Sequence, residues 1–404
     1  MSFFKINKIL PIIYQSIGRV SVQGLGFLLG IIIVRYAGLE LFGEYAKYNA
    51  LINISFGVFA SGIYTNYLRS NNIKLLWEAV LGTSYLLLFF LILIFPIYTF
   101  LFDGNYIDIL LISFSIYFMR LTEIYIISTR FIEKDVKSIL PRAIPYLILI
   151  ALFLLFRPEN ITSLLLILFI SWIVNLFYIY SLKGYIIIQK LNVKHLFSST
   201  ILLSLTTLAT QIYANFDQLM ISQLLGDKQL GVYKIGVSFS VLVMPLIGVF
   251  SFIYLSKLKE KLNNDSIKLI KKSFHNQIKI NFWISFIFVI FCLIFLNLII
   301  EFIYDIKEKN SYYVGVIMSI GVVFNVVSMV FSYTFLAIKR DKEILIITLI
   351  GAIVNIILNY FFITSYGILG AAWASTTTQF LLLILFIYVF YFKIHFFKTL
   401  KNHI

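Results

Sequence analysis

Residues 10–45 read LPIIYQSIGRVSVQGLGFLLGIIIVRYAGLELFGEY, a long apolar segment that ends in a glycine-rich turn. The apolar part, residues 10–34, exceeds the roughly 20 residues that a helix needs to cross a hydrocarbon core of about 30 Å. Similar segments recur along all 404 residues, and 61% of the chain is hydrophobic against 13% charged. This composition leaves too little polar surface to cover a water-soluble globule. The sequence therefore predicts an all-α polytopic membrane protein.

The number of apolar segments predicts about twelve transmembrane helices. After residues 10–34, the further predicted spans are 46–68, 76–101, 107–129, 140–156, 161–182, 197–225, 230–256, 278–304, 312–338, 344–364 and 367–392. The loops between them are short, so no soluble domain is expected. We also find no Walker motif, glycine-rich phosphate loop or catalytic triad pattern, which argues against an enzyme and against ATP-driven transport by this chain alone.

Lysine and arginine are distributed unevenly between alternate loops. Of the 33 such residues, 24 lie on the side of the N-terminus, and six lie opposite: Arg35, Lys47, Arg157, Lys228, Lys307 and Lys309. Because cytoplasmic loops carry the excess of positive charge, both termini are predicted to be cytoplasmic. Basic loops that face an anionic leaflet also account for the net charge of +15, so no nucleic-acid partner is expected.

A short glycine pattern occurs twice, at equivalent places in the two halves. Gly38, Gly43 and Tyr45 in YAGLELFGEY correspond to Gly226, Gly231 and Tyr233 in LLGDKQLGVY, 188 residues later. Glycine suits a tight turn between two helices, and the offset is close to half the chain. The pattern predicts a duplicated six-helix unit, with one bundle in residues 1–195 and the other in residues 196–404.

Three stretches carry a resemblance to a known family: QSIGRVSVQGLGFLLGIIIVRYAGLELFGEYA, NFDQLMISQLLGDKQLGVYKIGVSFS and NIILNYFFITSYGILGAAWASTTTQF. They resemble the O-antigen and capsule-repeat flippases of the multidrug/oligosaccharidyl-lipid/polysaccharide exporter superfamily. The resemblance implies two six-helix bundles around a cationic cavity. It also implies alternating access that moves an undecaprenyl-diphosphate-linked oligosaccharide to the outer leaflet.

Arg19 is the clearest candidate for binding such a diphosphate. A charged group at bilayer depth costs about 2.5 to 3.5 kcal/mol on insertion scales, so it is expected to face a cavity or a partner. Gln15 and Gln23 lie one helical turn before and after Arg19, which gives a polar stripe on an otherwise apolar helix. The guanidinium suits a diphosphate, and it suits equally a hydrogen-bonded anchor between helices.

Four further charged residues lie in or at the edge of predicted spans. Arg120 and Lys234 are candidate substrate cations, although Arg120 can pair with Glu123 three residues on and Lys234 can reach the outer interface. Asp217 and Glu123 are candidates for ion coupling, and Asp217 occupies a position where the resembled family commonly has an acid. Asp217 can instead pair with a cation.

The sequence thus predicts a flippase for a lipid-linked oligosaccharide repeat unit in the bacterial inner membrane, driven by a proton or sodium gradient. A polysaccharide polymerase and a chain-length regulator are expected partners, alongside membrane lipid. One cysteine and four histidines give no spaced metal-ligand set, so neither metal nor other cofactor is expected. The alternatives are a cation-coupled multidrug exporter of the same superfamily and a membrane-embedded polysaccharide polymerase. The cationic Arg19 disfavours the exporter, and the lack of a large external loop disfavours the polymerase.

Overall fold

The computed structural model describes residues 6–59, 105–128, 140–181, 193–264, 267–338 and 340–393. Within these ranges the regular structure is helical and no strand occurs, so the prediction of an all-α fold is confirmed. The helices are α1 (Ile6–Phe59), α2 (Tyr106–Ser128), α3 (Leu140–Phe156), α4 (Ile161–Ser181), α5 (Val193–Leu225), α6 (Asp227–Ser240), α7 (Met244–Asn264), α8 (Ile267–Tyr304), α9 (Lys309–Ala337) and α10 (Asp341–Tyr388). A π-helical turn, Val389–Lys393, follows α10.

Five of the ten described helices contain a segment that is long and apolar enough to cross a membrane. By length and composition, five segments of the described part qualify as spans: Ser21–Ser55, Ile161–Ile179, Leu269–Tyr304, Lys309–Ala337 and Asp341–Phe392. At 1.5 Å per residue, the last of these is more than twice the thickness of a hydrocarbon core. It therefore accommodates two predicted spans, whereas α1 contains the predicted span 10–34 and the described part, 46–59, of the next one.

Three glycines in the left-handed region separate helices that the sequence treats as distinct spans. Gly38 interrupts α1 with φ 87°, Gly226 separates α5 from α6 with φ 87°, and Gly367 interrupts α10 with φ 62°. Residues with a Cβ rarely adopt this conformation. After Gly367 the chain folds back on itself and the two parts of α10 pack closely. A Cβ on Gly370 would overlap the carbonyl oxygen of Phe362, and a Cβ on Gly351 would lie 2.6 Å from the Leu382 side chain.

The predicted span 230–256 contains a bend that hydropathy did not reveal. Residues 241–243 form a turn between α6 and α7, and the two helices meet at 41°. Pro245 is the second residue of α7. Proline has no amide hydrogen and is tolerated in the first turn of a helix, so it favours a new helix start at this point.

The chain forms two compact units, residues 1–231 and 232–404. In the first unit α1 packs against α5 and α3, and α4 packs against α2 and α3. In the second unit α9 packs between α8 and α10, and α7 lies against α8 and α9. The boundary between two six-helix bundles at residue 195 stays a prediction.

Buried amides cross-link helices within the second unit. Asn281 of α8 donates to the carbonyl oxygen of Val326 in α9 at 2.8 Å and accepts from Gln277 at 2.9 Å. In α10, Asn359 donates to Asn355, and Asn355 donates to Thr378 across the Gly367 turn. Hydrogen bonds of this kind hold helices together in a membrane, where the alternative is an unsatisfied polar group in hydrocarbon.

Candidate functional site in the first unit

The two copies of the glycine pattern touch each other through their backbones. A Cβ on Gly43 would overlap the carbonyl oxygen of Asp227 and lie 2.6 Å from its carbonyl carbon. A Cβ on Gly231 would overlap the carbonyl oxygen of Leu39 and lie 3.1 Å from its carbonyl carbon. Leu39 follows Gly38 and Asp227 follows Gly226, so each contact is the counterpart of the other under exchange of the repeats. We call this contact the glycine junction.

An ion pair lies beside the glycine junction. Lys47 is one helical turn beyond Gly43, and its Nζ lies 2.9 Å from Oδ2 of Asp227. The other carboxylate oxygen of Asp227 accepts a hydrogen bond from the Ser222 hydroxyl. The side chains are only 16% and 19% exposed, and Asp227 is the first residue of α6, where the helix dipole favours a negative charge. The pair therefore joins α1 to the turn between α5 and α6.

A row of amides joins α1 to α5. Asn53 donates to Oδ1 of Asn215 at 3.4 Å, and Gln218 donates to the same oxygen at 3.4 Å. Asn215 in turn donates to the side-chain oxygen of Gln211 at 2.9 Å. Amides are uncharged yet strongly hydrogen-bonding, so this row brings polar groups into the helix bundle without burying a charge.

A small cavity adjoins the amide row between α1, α2, α3 and α4. The cavity volume available to the centres of water molecules is about 40 Å³, which is enough for several waters. Its lining residues are Tyr45, Asn49, Ile52, Asn53, Ser115, Met119, Pro145, Tyr146, Leu149, Leu168 and Trp172. Aromatic rings, amides and a hydroxyl dominate, and none of these described lining residues is ionisable at neutral pH. We call it the aromatic-amide cavity.

The structure describes three of the predicted site residues with their side chains. Asp217 of α5 is 2% exposed, and its Oδ1 accepts the backbone N–H of Gln218 at 2.8 Å. Gln23 of α1 is partly buried. Lys234 of α6 is also partly buried, and its carbonyl oxygen accepts the Ser238 hydroxyl at 2.7 Å.

The other four predicted site residues lie in described helices, but their side chains fall outside the described part. They are Gln15 and Arg19 in α1 and Arg120 and Glu123 in α2. The predicted polar stripe and the predicted Arg120–Glu123 pair therefore stay predictions.

Sequence reasoning missed the glycine-junction ion pair and the aromatic-amide cavity. Lys47 was counted only as a loop cation and Asp227 was not considered, although Lys47 follows the second glycine of the pattern by one helical turn. For the cavity the available signal was Asn49 and Asn53, two amides four residues apart and hence on one face of an apolar helix.

Comparison with known proteins identifies the fold. The MatE family model matches residues 203–361. The structure is similar to the lipid II flippase MurJ in an inward closed conformation, with a TM-score of 0.76 and 20% identity over 96% of this chain and 89% of that chain. It is also similar to an inward-facing multidrug resistance MATE family transporter of the MOP superfamily, with a TM-score of 0.73 and 14% identity over 95% and 96% of the two chains.

A third similar structure is a MOP superfamily transporter from Pyrococcus furiosus, described by a binding pocket of reverse polarity. Its TM-score is 0.67, at 14% identity over 99% of this chain and all of that chain. No curated protein sequence matches the chain significantly.

These matches define a multi-pass membrane protein with the fold of a twelve-helix transporter. The MatE match covers less than half of the chain, and the solved structures that share its fold include the MurJ flippase and transporters of the MOP superfamily. The resemblance drawn from the three sequence stretches agrees with these matches, and the matched families are families of transporters.

Proposed function

We propose that this protein is a flippase for a lipid-linked oligosaccharide, driven by a proton or sodium gradient in the bacterial inner membrane. In this proposal the sugar part passes through the bundle interior while the polyprenyl chain stays in lipid. Arg19, Arg120 and Lys234 supply positive charge for the diphosphate, and Gln15 and Gln23 supply hydrogen bonds beside Arg19. A polymerase and a chain-length regulator of the same biosynthetic process are the proposed protein partners.

The observation that carries the proposal is the chemistry of the aromatic-amide cavity. Amides and hydroxyls donate to and accept from sugar hydroxyls, and the faces of Tyr45, Tyr146 and Trp172 suit the apolar faces of sugar rings. A pocket for organic cations would instead gain affinity from carboxylates, which stabilise a buried positive charge. The described lining contains none, and this favours a neutral, hydroxyl-rich passenger.

The alternative within the superfamily is a cation-coupled multidrug exporter. Asp217 is the observation that favours it, because a buried carboxylate on α5 provides a negative charge inside the first unit. The amide row beside Asp217 is neutral, however, and the aromatic-amide cavity is lined without it.

A transport assay decides between the two functions. Purified protein is placed in liposomes that carry a fluorescent polyprenyl-diphosphate oligosaccharide, and movement between leaflets is measured with and without a proton or sodium gradient. Protein-dependent, gradient-stimulated movement of the lipid supports the flippase. Export of cationic dyes under the same gradient, without lipid movement, supports the exporter instead.

Trp172 provides a test of the cavity itself. Trp172→Ala is expected to lower the rate of oligosaccharide-lipid movement about tenfold, because about 1.4 kcal/mol of ring stacking is lost. The control is Trp283→Ala, the same substitution at a position that is 57% exposed on α8, for which no change is expected. Rates are normalised to the monodisperse fraction in gel filtration. Equal rates for both variants would remove the cavity from the substrate path.

A further inference from the structure

Asp108 is a deeply buried carboxylate whose hydrogen bonds are incomplete. It lies in the first turn of α2 and is 2% exposed. Its Oδ2 accepts a hydrogen bond from the Tyr48 hydroxyl of α1 at 3.2 Å, and its buried Oδ1 has no hydrogen-bond partner among the described residues. An ionised carboxylate in such a place is costly unless a positive charge compensates it.

Capping of α2 does not account for this carboxylate. The backbone N–H of Ile107 is already satisfied by the Asn105 side chain at 3.1 Å, so the helix start has its own capping residue. The helix dipole also does not account for it. A carboxylate at the start of a helix gains the same dipole interaction at the protein surface, so the dipole does not explain why Asp108 is buried with one oxygen unpartnered.

Asp108 belongs to a group of described charges around Glu44 that is mostly negative. Glu44 of α1 is within electrostatic range of Asp108, Glu40, Lys47 and Asp227. Among these five described residues there are four carboxylates and one ammonium group, and that ammonium group, Lys47, is held 2.9 Å from Asp227. The local potential therefore attracts a small cation, and the protein itself supplies no described ammonium or guanidinium group bonded to Asp108.

We propose that Asp108 is the principal ligand of a small monovalent cation, H⁺ or Na⁺, with Tyr48 orienting its carboxylate. On the predicted topology this site lies near the outer side of the membrane, where a driving cation enters. The proposal deepens the proposed ion coupling and rests on it for the role of the site, whereas cation binding is measurable without any lipid substrate.

Tyr48 connects the Asp108 site to the ion pair beside the glycine junction. Tyr48 is adjacent to Lys47 in the chain, and the Lys47 ammonium lies 5.5 Å from the centre of the Tyr48 ring. Tyr48 thus contacts both Asp108 and Lys47, and Lys47 is paired with Asp227. Through these contacts, occupancy of the site is expected to bias the ion pair that joins α1 to α6.

The test uses the full-length protein in detergent. Binding of ²²Na⁺ at fixed pH detects sodium, and the infrared band of a protonated carboxyl group, followed across pH, detects the proton. Asp108→Asn is expected to abolish whichever signal the wild type shows. The matched control is Asp305→Asn, an exposed residue whose left-handed backbone, φ 58°, suits asparagine, and it is expected to leave that signal intact.

A second variant keeps the test decisive if Asp108→Asn does not fold. Tyr48→Phe removes only the hydroxyl that orients the carboxylate, and it is expected to weaken cation binding roughly 10- to 100-fold. Wild-type binding of both cations in Asp108→Asn, or in Tyr48→Phe where only that variant folds, overturns the proposal. Because no lipid is present, a failed lipid-movement assay would count against the flippase and not against this site.

Discussion

Gly43→Ala is expected to reduce oligosaccharide-lipid movement about 5- to 150-fold, which corresponds to a bias of about 1 to 3 kcal/mol against the glycine junction. A methyl group at this position would overlap the carbonyl oxygen of Asp227 and lie 3.0 Å from the backbone nitrogen of Gly231. Both neighbours are backbone atoms, so no side-chain rotation relieves the overlap. The helices must separate, and the arrangement in which α1 touches α6 becomes less populated.

The control for this prediction is Gly24→Ala in the same helix. No atom of another described segment lies within 4 Å of a Cβ built on Gly24, and alanine is a better helix former than glycine, so wild-type transport is expected. Both variants are compared in the liposome assay. A transport rate for Gly43→Ala equal to that of Gly24→Ala would show that the glycine junction has no part in the cycle.

Opening of the glycine junction is measurable directly with a cysteine probe. Cys292 is the single cysteine of the chain, so Cys292→Ala gives a background without thiols. Leu230, which is fully buried, is replaced by cysteine in that background. Gly43→Ala is expected to increase its labelling by a membrane-impermeant maleimide, whereas Gly24→Ala is expected to leave the labelling unchanged.

Most of the fold prediction rests on two features of the sequence: the lengths of its apolar segments and the positions of its glycines. The predicted spans 107–129 and 161–182 agree with Tyr106–Ser128 and Ile161–Ser181 to within one residue at each end. Gly38 and Gly226 lie at their predicted turns with the same φ of 87°. The bend at residues 241–243 was not predictable from hydropathy, because that measure reads composition and is blind to the backbone hydrogen bonds that break there.

The candidate site was less predictable because its parts come together only in three dimensions. Asp217 was detectable, since a carboxylate within an apolar span is conspicuous. Lys47, Asp108 and Asp227 lie near the ends of predicted spans, where charged residues are common and attract no notice. Lys47 and Asp227 are 180 residues apart, and no local pattern indicates that two such segments are in contact.

The repeat explains why the glycine junction exists, and the ion pair explains why it is not symmetric. Gly43 and Gly231 occupy equivalent positions of the duplicated pattern and make equivalent backbone contacts. An offset of 188 residues places Ile235 opposite Lys47 and Leu39 opposite Asp227. Only one of the two possible ion pairs is therefore present. The duplicated backbone contact is therefore joined by a single ion pair, Lys47–Asp227, and a change in the charge of nearby residues can strengthen or weaken that pair.

Removing either charge of the Lys47–Asp227 pair by substitution is expected to destabilise the first unit by about 1 to 3 kcal/mol. This is the range for a hydrogen bond to a charged group in a largely desolvated site. Asp227→Asn is expected to have the larger effect, because it also weakens the acceptor for Ser222 and removes the negative charge from the start of α6. Lys47→Met keeps most of the apolar stem and removes only the charge, so its effect is expected to be smaller.

A double-mutant cycle isolates the interaction between the two side chains. The single variants and the double variant are unfolded in mixed detergent micelles, and a coupling energy of about 1 to 3 kcal/mol is expected. The control cycle uses Arg340 and Glu343, an ion pair of 3.1 Å whose arginine is 49% exposed, for which about 0.2 to 0.5 kcal/mol is expected. Equal coupling energies in the two cycles would mean that Lys47 and Asp227 behave as an ordinary surface pair. The ion pair would then contribute little to holding the glycine junction together.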